Sequence, residues 1–133
     1  MKLKISLLSI FFFNFIVYAA QIDTVKVFSK SMNKSIANVV ITPKSYTTQK
    51  ENYAVVYLLH GAGGDHSDWI QKVPKIQHYA DQYNLVIVCP NGGYNSWYFD
   101  SPVDEKWKYE TYISKELITA IDSRYRTKKN RKS

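Results

Sequence analysis

The sequence has 133 residues, of which 45% are apolar and 22% are charged, so it describes one folded globular domain at most and excludes a disordered or collagen-like chain. Its single cysteine, Cys89, excludes an intrachain disulfide framework. The net charge of +7 lies at the two ends, because residues 20–123 carry ten lysines against eleven acidic residues, and this balance does not support a nucleic-acid-binding face.

Residues 1–19 have the pattern of a secretory signal peptide. Lys2 and Lys4 form a basic start, an apolar stretch of about 13 residues follows, and Val17–Ala19 places a small residue at a cleavage point. The apolar stretch is shorter than the roughly 20 residues that a spanning helix needs. An uncleaved N-terminal anchor is the alternative. We expect cleavage after Ala19 and a secreted or periplasmic protein with no stable membrane span.

The chain after the signal peptide begins with a pattern that predicts an antiparallel hairpin. Thr24–Ser29 alternates apolar and polar residues, Ile36–Thr42 is rich in β-branched apolar residues, and Met32–Lys34 between them suits a turn. Pro43 ends the second strand, because proline lacks the N–H that a strand ladder needs.

A strand–helix–strand unit follows the hairpin. Ala54–Leu59 is a continuous apolar run, which is typical of a strand buried on both faces in the middle of a sheet. Pro74–Tyr83 has apolar residues at helical spacing, and Leu85–Cys89 is a second strand of the buried type, with a right-handed crossover expected between the two strands. A final apolar stripe predicts a helix over Lys108–Tyr125.

This order of elements predicts an α/β fold, namely the front of an open α/β sheet made of a β-hairpin followed by a βαβα run. Such a sheet needs another strand after the last helix, whereas Arg126–Ser133 is too basic to form a buried strand. We therefore expect a partial, truncated domain over residues 20–133. We interpret the basic run Arg124–Lys132 as a solvated linker rather than as a site for anionic lipid or nucleic acid.

Three glycines, Gly61, Gly63 and Gly64, directly follow the first buried strand, at the strand end where open α/β sheets bind ligands. Glycine lets the main chain approach a ligand closely, so this loop can aim backbone N–H groups at a developing negative charge. The spacing excludes a dinucleotide fingerprint, because His66 stands where the third glycine should be, and the Gly-Lys-Ser/Thr ending of a phosphate loop is absent. A tight turn without a catalytic role is the alternative.

Several segments match one enzyme family in the same order along the chain. They are Val56–Asp65 with Trp69, Pro90–Gly93, Ser96–Tyr98, and Trp107–Tyr112 with Glu116-Leu117. The sequence resembles the esterase D group of α/β-hydrolases, from about Val25 to Tyr125. That group contains S-formylglutathione hydrolases, tributyrin-type and feruloyl esterases, and the related secreted mycolyltransferases. The resemblance implies hydrolysis of a carboxylic ester through a covalent acyl-enzyme.

The resemblance also implies roles for particular residues. The backbone N–H of Ala62 would donate to the oxyanion, and Gly61 and Gly63 would shape its loop. The family's nucleophilic serine lies in a G-x-S-x-G motif, with the acid and the base later in the chain, and the 133 residues contain no such motif. We expect the nucleophile, acid and base to be absent from this chain, which should be inactive alone because the elbow is missing. No cofactor and no metal is implied.

Some residues have two interpretations. Trp97 and Tyr98 could line an acyl or aromatic pocket, or could simply pack beneath their loop. His60 is expected to orient the glycine loop rather than to serve as the general base. The expected substrate is a small-molecule or carbohydrate-linked ester. Acyl transfer to a carbohydrate acceptor, and a non-catalytic secreted half-domain that binds a carbohydrate or a partner, are the alternatives.

Overall fold

Four strands form one mixed sheet. The computed structural model describes residues 20–130, so the predicted signal peptide lies outside the described residues. In chain order the strands are β1 (Gln21–Ser29), β2 (Lys34–Thr42), β3 (Ala54–Tyr57) and β4 (Leu85–Pro90). Their order in the sheet is β1-β2-β4-β3. Among residues 20–130, no helix combines the length and the apolar character needed to cross a bilayer.

The predicted hairpin is present and is longer than the sequence pattern indicated. β1 and β2 pair antiparallel from Gln21 opposite Thr42 to Ser29 opposite Lys34. Asn33 lies in the connecting turn with a φ of 49°, a left-handed conformation that asparagine adopts more readily than most residues. The hairpin therefore closes tightly and supplies one side of the sheet.

β3 and β4 form the predicted strand–helix–strand unit. They pair in parallel from Ala54 opposite Leu85 to Tyr57 opposite Val88. β2 pairs antiparallel with the other edge of β4. The connection contains a short helix that the sequence did not predict and a second helix that it did. These are α1 (Asp68–Lys72) and α2 (Ile76–Tyr83).

The prediction that β3 is buried on both faces in the middle of the sheet is wrong for the described residues. Among residues 20–130, β3 pairs with β4 alone, and Val56 is 39% exposed. A run of apolar residues reports hydrophobicity and not the number of neighbouring strands, which explains the difference. β4 does have the environment expected of a central strand, since Val86–Cys89 are all buried.

The predicted last helix is present, with an irregular interior. It consists of α3 (Tyr109–Thr111), a π-helical segment (Tyr112–Leu117) and α4 (Ile118–Arg124), together called the C-terminal helix below. Asp100 accepts hydrogen bonds from the backbone N–H and the hydroxyl of Thr111, at 3.0 and 2.6 Å. This carboxylate fastens the preceding loop to the first turn of the helix, where the helix dipole favours negative charge.

Helices cover both faces of the sheet, and each face has its own core. One core joins the C-terminal helix to alternate strand residues. Its members include Val27, Ile36, Val40, Val86, Val88, Tyr112, Leu117 and Ile121. The other core joins α2 to the strand residues that alternate with those of the first core and point to the opposite face. Its members include Val39, Ile41, Ile76, Ala80, Ile87 and Cys89. Successive residues of β4 therefore enter opposite cores, as a strand buried on both faces requires.

The start of the basic run is packed against the protein, so the prediction of a solvated linker is wrong for residues 126–128. The Tyr53 N–H donates to the Arg126 carbonyl and the Lys128 N–H donates to the Tyr53 carbonyl, both at 2.9 Å, which forms a short parallel bridge. Thr127 is buried, and its hydroxyl donates to Asp122 at 2.6 Å. Backbone pairing does not depend on side-chain polarity, so a basic composition could not exclude it.

Candidate active site

The glycine loop begins where the ladder of β3 ends. The Leu58 N–H still donates to the Val88 carbonyl, at 2.8 Å. Beyond Leu59 and the buried His60, the residues Gly61, Ala62 and Gly63 are exposed. The chain therefore leaves the sheet at the carboxyl end of β3, which is the end at which α/β sheets bind their ligands.

Hydrogen bonds hold the two backbone amides that follow Ala62. The Gly63 N–H donates to the Tyr94 carbonyl at 2.7 Å, and the Gly64 N–H donates to the Gly61 carbonyl at 3.1 Å. The φ of Gly63 is 76°, a left-handed conformation that glycine adopts without a steric penalty. No hydrogen bond joins the Ala62 N–H to another group within residues 20–130. The loop therefore leaves the Ala62 amide available to a ligand.

His60 connects the glycine loop to the loop that follows β4. It is 6% exposed, and its Nε2 accepts a hydrogen bond from the Gly92 N–H at 2.9 Å. Its Nδ1 lies 2.7 Å from the Gly61 carbonyl oxygen. Because the Gly92 amide can only donate, Nε2 is the unprotonated nitrogen and Nδ1 carries the proton of the neutral ring. Both nitrogens are engaged, so His60 links the loops, as the sequence analysis expected, and is not free to act as a base.

Two consecutive aromatic residues in the loop after β4 adopt a left-handed conformation, Trp97 with a φ of 54° and Tyr98 with a φ of 56°. Such backbone costs roughly 1–3 kcal/mol per residue and persists only where the surroundings hold it. The buried hydroxyl of Ser96 donates to the Gly92 carbonyl and accepts from the Tyr98 N–H at 3.0 Å. The Tyr98 hydroxyl donates to the His60 carbonyl at 3.0 Å. These bonds keep both aromatic side chains beside the glycine loop.

An open cavity of about 220 Å³ lies between the glycine loop and the loop after β4. It is lined by His60–Ala62 on one side and Gly93–Tyr98 on the other. The structure thus brings Ala62 together with the two predicted aromatic residues. Gly63 shapes the loop but does not line the cavity. Trp97 is 78% exposed and therefore does not pack beneath its loop, whereas half-buried Tyr98 both packs and lines the cavity.

Tyr94 is a residue of the cavity that the sequence analysis missed. Its carbonyl holds the Gly63 amide, and its ring lies against Gly63, with Cε2 3.5 Å from the place that a β-carbon there would take. The sequence feature that could have identified it is an aromatic residue directly after Gly92 and Gly93, in a loop at the end of a buried strand. Tyr94 therefore belongs to both the support and the wall of the cavity.

The carboxylates nearest to the glycine loop, Asp65 and Asp68, do not line the cavity. Hydrogen bonds from the hydroxyl and the N–H of Ser67 lower the pKa of Asp65. A hydrogen bond from the Lys72 ammonium, 2.6 Å away, lowers the pKa of Asp68. Both carboxylates are therefore ionised at neutral pH, Asp65 hydrogen-bonded to Ser67 and Asp68 paired with Lys72. In the part of the chain that the structure describes, no cluster of three His, Cys, Asp or Glu residues is placed to hold a metal ion.

The cavity can hold a negative charge, but its lining offers no activated nucleophile among residues 20–130. Ser96 is 1% exposed, and its hydroxyl already makes two hydrogen bonds. Burial raises the pKa of Tyr98, so its hydroxyl stays a neutral donor. The described residues that line the cavity therefore offer an amide donor and aromatic walls.

The α/β-hydrolase class has this arrangement: a glycine loop at a strand's carboxyl end presents a backbone amide to the site. Comparison with known proteins agrees with this class. The model of the family described as "Putative esterase" matches residues 29–133. The chain therefore belongs to this esterase family.

Two curated relatives are named as esterases. "Esterase MT1326" of Mycobacterium tuberculosis is 31% identical over 91 residues, which cover 66% of this chain and 20% of that protein. The "Acetyl esterase" of Caldicellulosiruptor saccharolyticus is 29% identical over 98 residues, which cover 68% of this chain and 36% of that protein. The chain thus matches from one fifth to about a third of the length of these relatives.

Solved structures of hydrolases share the fold. A ferulic acid esterase superimposes with a TM-score of 0.74 at 32% identity, over 86% of this chain and 46% of its own. An S-formylglutathione hydrolase from Agrobacterium tumefaciens superimposes with a TM-score of 0.73 at 20% identity, over 84% of this chain and 47% of its own. The predicted α/β-hydrolase-type fold and the predicted family are therefore confirmed.

Proposed function

We propose that this chain is the oxyanion-binding part of a secreted serine esterase that hydrolyses small-molecule or carbohydrate-linked carboxylic esters through an acyl-enzyme. The esterase family supports the reaction class. The pattern of residues 1–19 supports secretion. The observation on which the proposal chiefly rests is the Ala62 amide, which has no hydrogen-bond partner within residues 20–130 and belongs to a residue that lines the cavity between the two loops.

In the proposed reaction, a serine from outside these 133 residues attacks the ester carbonyl carbon after losing its proton to a base. The carbonyl electron pair moves onto oxygen, and the Ala62 N–H donates to that oxyanion. Collapse of the tetrahedral carbon expels the alcohol, which takes up the proton, and leaves an acyl-serine that water then hydrolyses. One such amide donor contributes roughly 3–4 kcal/mol to the stabilisation of the transition state.

The aromatic residues support an apolar acyl group. Trp97, Tyr98 and Tyr94 all line the cavity beside Ala62, and the side chain of Trp97 is mostly exposed. Pockets of this kind bind apolar groups through aromatic walls and orient them with a few polar groups. Hydrolysis is favoured over acyl transfer because the curated relatives described above are named as esterases.

The test is a chimera in which residues 20–128 replace the matched part of the ferulic acid esterase, whose remaining part supplies the rest of the active site. We expect the chimera to hydrolyse a short-chain p-nitrophenyl ester and to react with a fluorophosphonate. We expect the 133-residue chain alone to do neither.

Ala62→Pro and Ala62→Gly form a matched pair in this chimera. Proline removes the N–H, and glycine at position 61 before it avoids the usual clash with a preceding side chain, so we expect kcat to fall about 10²–10³-fold. Ala62→Gly retains the N–H and should retain most of the activity. Equal activity of the two variants would show that the Ala62 amide is not the donor and would overturn the proposal.

A further inference from the structure

The peptide group between Gly61 and Ala62 is held at its carbonyl end. The Gly61 oxygen lies 2.7 Å from His60 Nδ1 and accepts a second hydrogen bond from the Gly64 N–H at 3.1 Å. This peptide bond is trans, so its C=O and N–H point in opposite directions. Two donors on the Gly61 oxygen therefore fix the direction of the Ala62 N–H.

The imidazole that makes this contact is itself fixed. The Gly92 N–H donates to Nε2 at 2.9 Å, which assigns the proton to Nδ1. The ring meets the Tyr98 ring edge-on, with centroids 5.7 Å apart, and the Tyr98 hydroxyl donates to the His60 carbonyl at 3.0 Å. The peptide group before Gly61 is thus held by Tyr98, and the one after it by the His60 ring.

Packing around Gly61 does not hold this orientation. A β-carbon at Gly61 would meet no atom within 4 Å, and Gly61 and Ala62 are both exposed. The hydrogen bonds to the two carbonyl oxygens are therefore the specific restraints on the loop at this point.

We propose that His60 is a positioning residue that aims the Ala62 N–H into the cavity by donating from Nδ1 to the Gly61 carbonyl. This inference deepens the proposed function, on which its catalytic meaning rests. A carbonyl that accepts two hydrogen bonds also polarises its own peptide group, and this polarisation makes the Ala62 N–H a stronger donor. His60 thus acts on the oxyanion through one peptide group.

The test on the full chain is NMR spectroscopy of the His60 ring and of the Ala62 and Gly92 amides. In the unsubstituted chain, long-range proton–nitrogen spectra should show the Nδ1-protonated tautomer. An Nε2-protonated ring would overturn the inference, and this measurement needs no variant to fold.

The variants His60→Asn and His60→Gln test separately the two hydrogen bonds of the imidazole, one at Nδ1 and one at Nε2. The amide nitrogen of asparagine can take the place of Nδ1 and donate to Gly61, whereas the amide oxygen of glutamine can take the place of Nε2 and accept from Gly92. We expect the Gln variant to move the Ala62 amide signal and to keep that of Gly92. We expect the Asn variant to do the reverse. Equal movement of both signals in both variants would make His60 a general structural contact and would overturn the inference.

The chimera distinguishes this inference from the proposed function. We expect His60→Asn to retain more kcat than His60→Gln, with similar KM values. If Ala62→Pro lowers kcat while the two His60 variants have equal kcat, the positioning role fails and the esterase assignment stands. If the NMR pattern holds while Ala62→Pro has no effect, the role of the Ala62 amide as oxyanion donor fails and the loop geometry stands.

Discussion

The ring of Tyr98 occupies the space that a side chain on Gly92 would need. A β-carbon at Gly92 would lie 2.1 Å from Cε1 of Tyr98, far inside van der Waals contact. Gly92→Ala therefore forces the ring or the loop to move. We expect the free energy of unfolding to fall by about 1–3 kcal/mol, the range found for overpacking. Urea unfolding measures this loss, and near-ultraviolet circular dichroism reports the displaced ring.

Gly61→Ala is the matched control for this substitution. A β-carbon there meets no atom within 4 Å, and its φ is not left-handed. The free energy of unfolding should change by no more than about 0.5 kcal/mol, as for other unremarkable surface positions. Equal losses at the two glycines would contradict the placement of Tyr98 over Gly92.

Arg126 fastens the segment after the C-terminal helix to the loop before β3. Its guanidinium carbon lies 3.8 Å from the centre of the Tyr46 ring, and its N–H groups donate to the carbonyls of Tyr46, Gln49 and Glu51. Arg126→Met removes these contacts, and we expect a loss of about 1–3 kcal/mol in the free energy of unfolding. Lys129→Met removes the same charge from an exposed side chain and should cost no more than about 0.5 kcal/mol. A comparable loss in Lys129→Met would attribute the effect to net charge instead.

The comparison of β4 with Arg126 shows which parts of the fold could be predicted. The residues of β4 are apolar because both faces of the strand are covered, so the environment is written into the local sequence. Arg126 is one basic residue among several, and its partners are main-chain carbonyls about 80 positions earlier. No local pattern encodes such contacts, so the sequence alone predicts a solvated linker here.

The candidate site, too, has features that the sequence predicts and features that it does not. The glycine loop could be predicted because the left-handed φ of Gly63 leaves a visible preference for glycine. The left-handed turn at Trp97 and Tyr98 could not be predicted, because large aromatic residues disfavour it and hydrogen bonds to Ser96 and His60 hold it. Which amide of the loop stays free depends on the distant Tyr94 carbonyl and is therefore a property of the fold.

Glu116 joins the C-terminal helix to the β1–β2 hairpin. Its carboxylate accepts hydrogen bonds from the Ser29 hydroxyl at 2.6 Å, the Ser31 N–H at 2.8 Å and the Ser31 hydroxyl at 3.2 Å. Glu116→Gln keeps the size but replaces one acceptor oxygen with a donor. We expect a loss of about 1–3 kcal/mol in the free energy of unfolding, since the lost bonds involve a charged acceptor. Urea unfolding of Glu105→Gln, an exposed carboxylate, is the control.

A double-mutant cycle tests the contact itself. We expect Glu116→Gln and Ser29→Ala to couple by about 0.5–3 kcal/mol, because they share one hydrogen bond. Simple additivity of the two losses would contradict a direct interaction between the helix and the hairpin at this point.

Because of Asp100, we expect the free energy of unfolding to fall at acid pH. Partial desolvation raises the pKa of Asp100, but hydrogen bonds from the hydroxyl and the N–H of Thr111 outweigh it, and the net effect is a lowered pKa. The folded carboxyl therefore binds its proton less readily than an unfolded one, whose pKa is about 3.9. The resulting stabilisation is complete above that value and is lost as the pH falls through the lower folded pKa.

Asp100→Asn should therefore be less stable than the parent at neutral pH, by a margin that shrinks as the pH is lowered. Unfolding by urea from about pH 7 to about pH 2 measures this margin across both pKa values. Thr111→Val, which removes one donor, should show a smaller margin with the same pH dependence. A margin for Asp100→Asn that does not change with pH would contradict the role of the charged carboxylate.

Cys89 is completely buried in the core between the sheet and α2, and this burial raises the pKa of its thiol to about 12. Only the thiolate reacts with alkylating agents. At about pH 8.5, the Cys89 thiol is ionised in about half of the unfolded molecules but in only about one folded molecule in 10³. We expect iodoacetamide to modify the folded chain at least about 10³-fold more slowly than the urea-unfolded chain. Gly92→Ala should react faster than Gly61→Ala, because opening of the fold exposes the thiol in proportion to the stability lost. Rapid modification of the folded parent would show that α2 does not cover this strand.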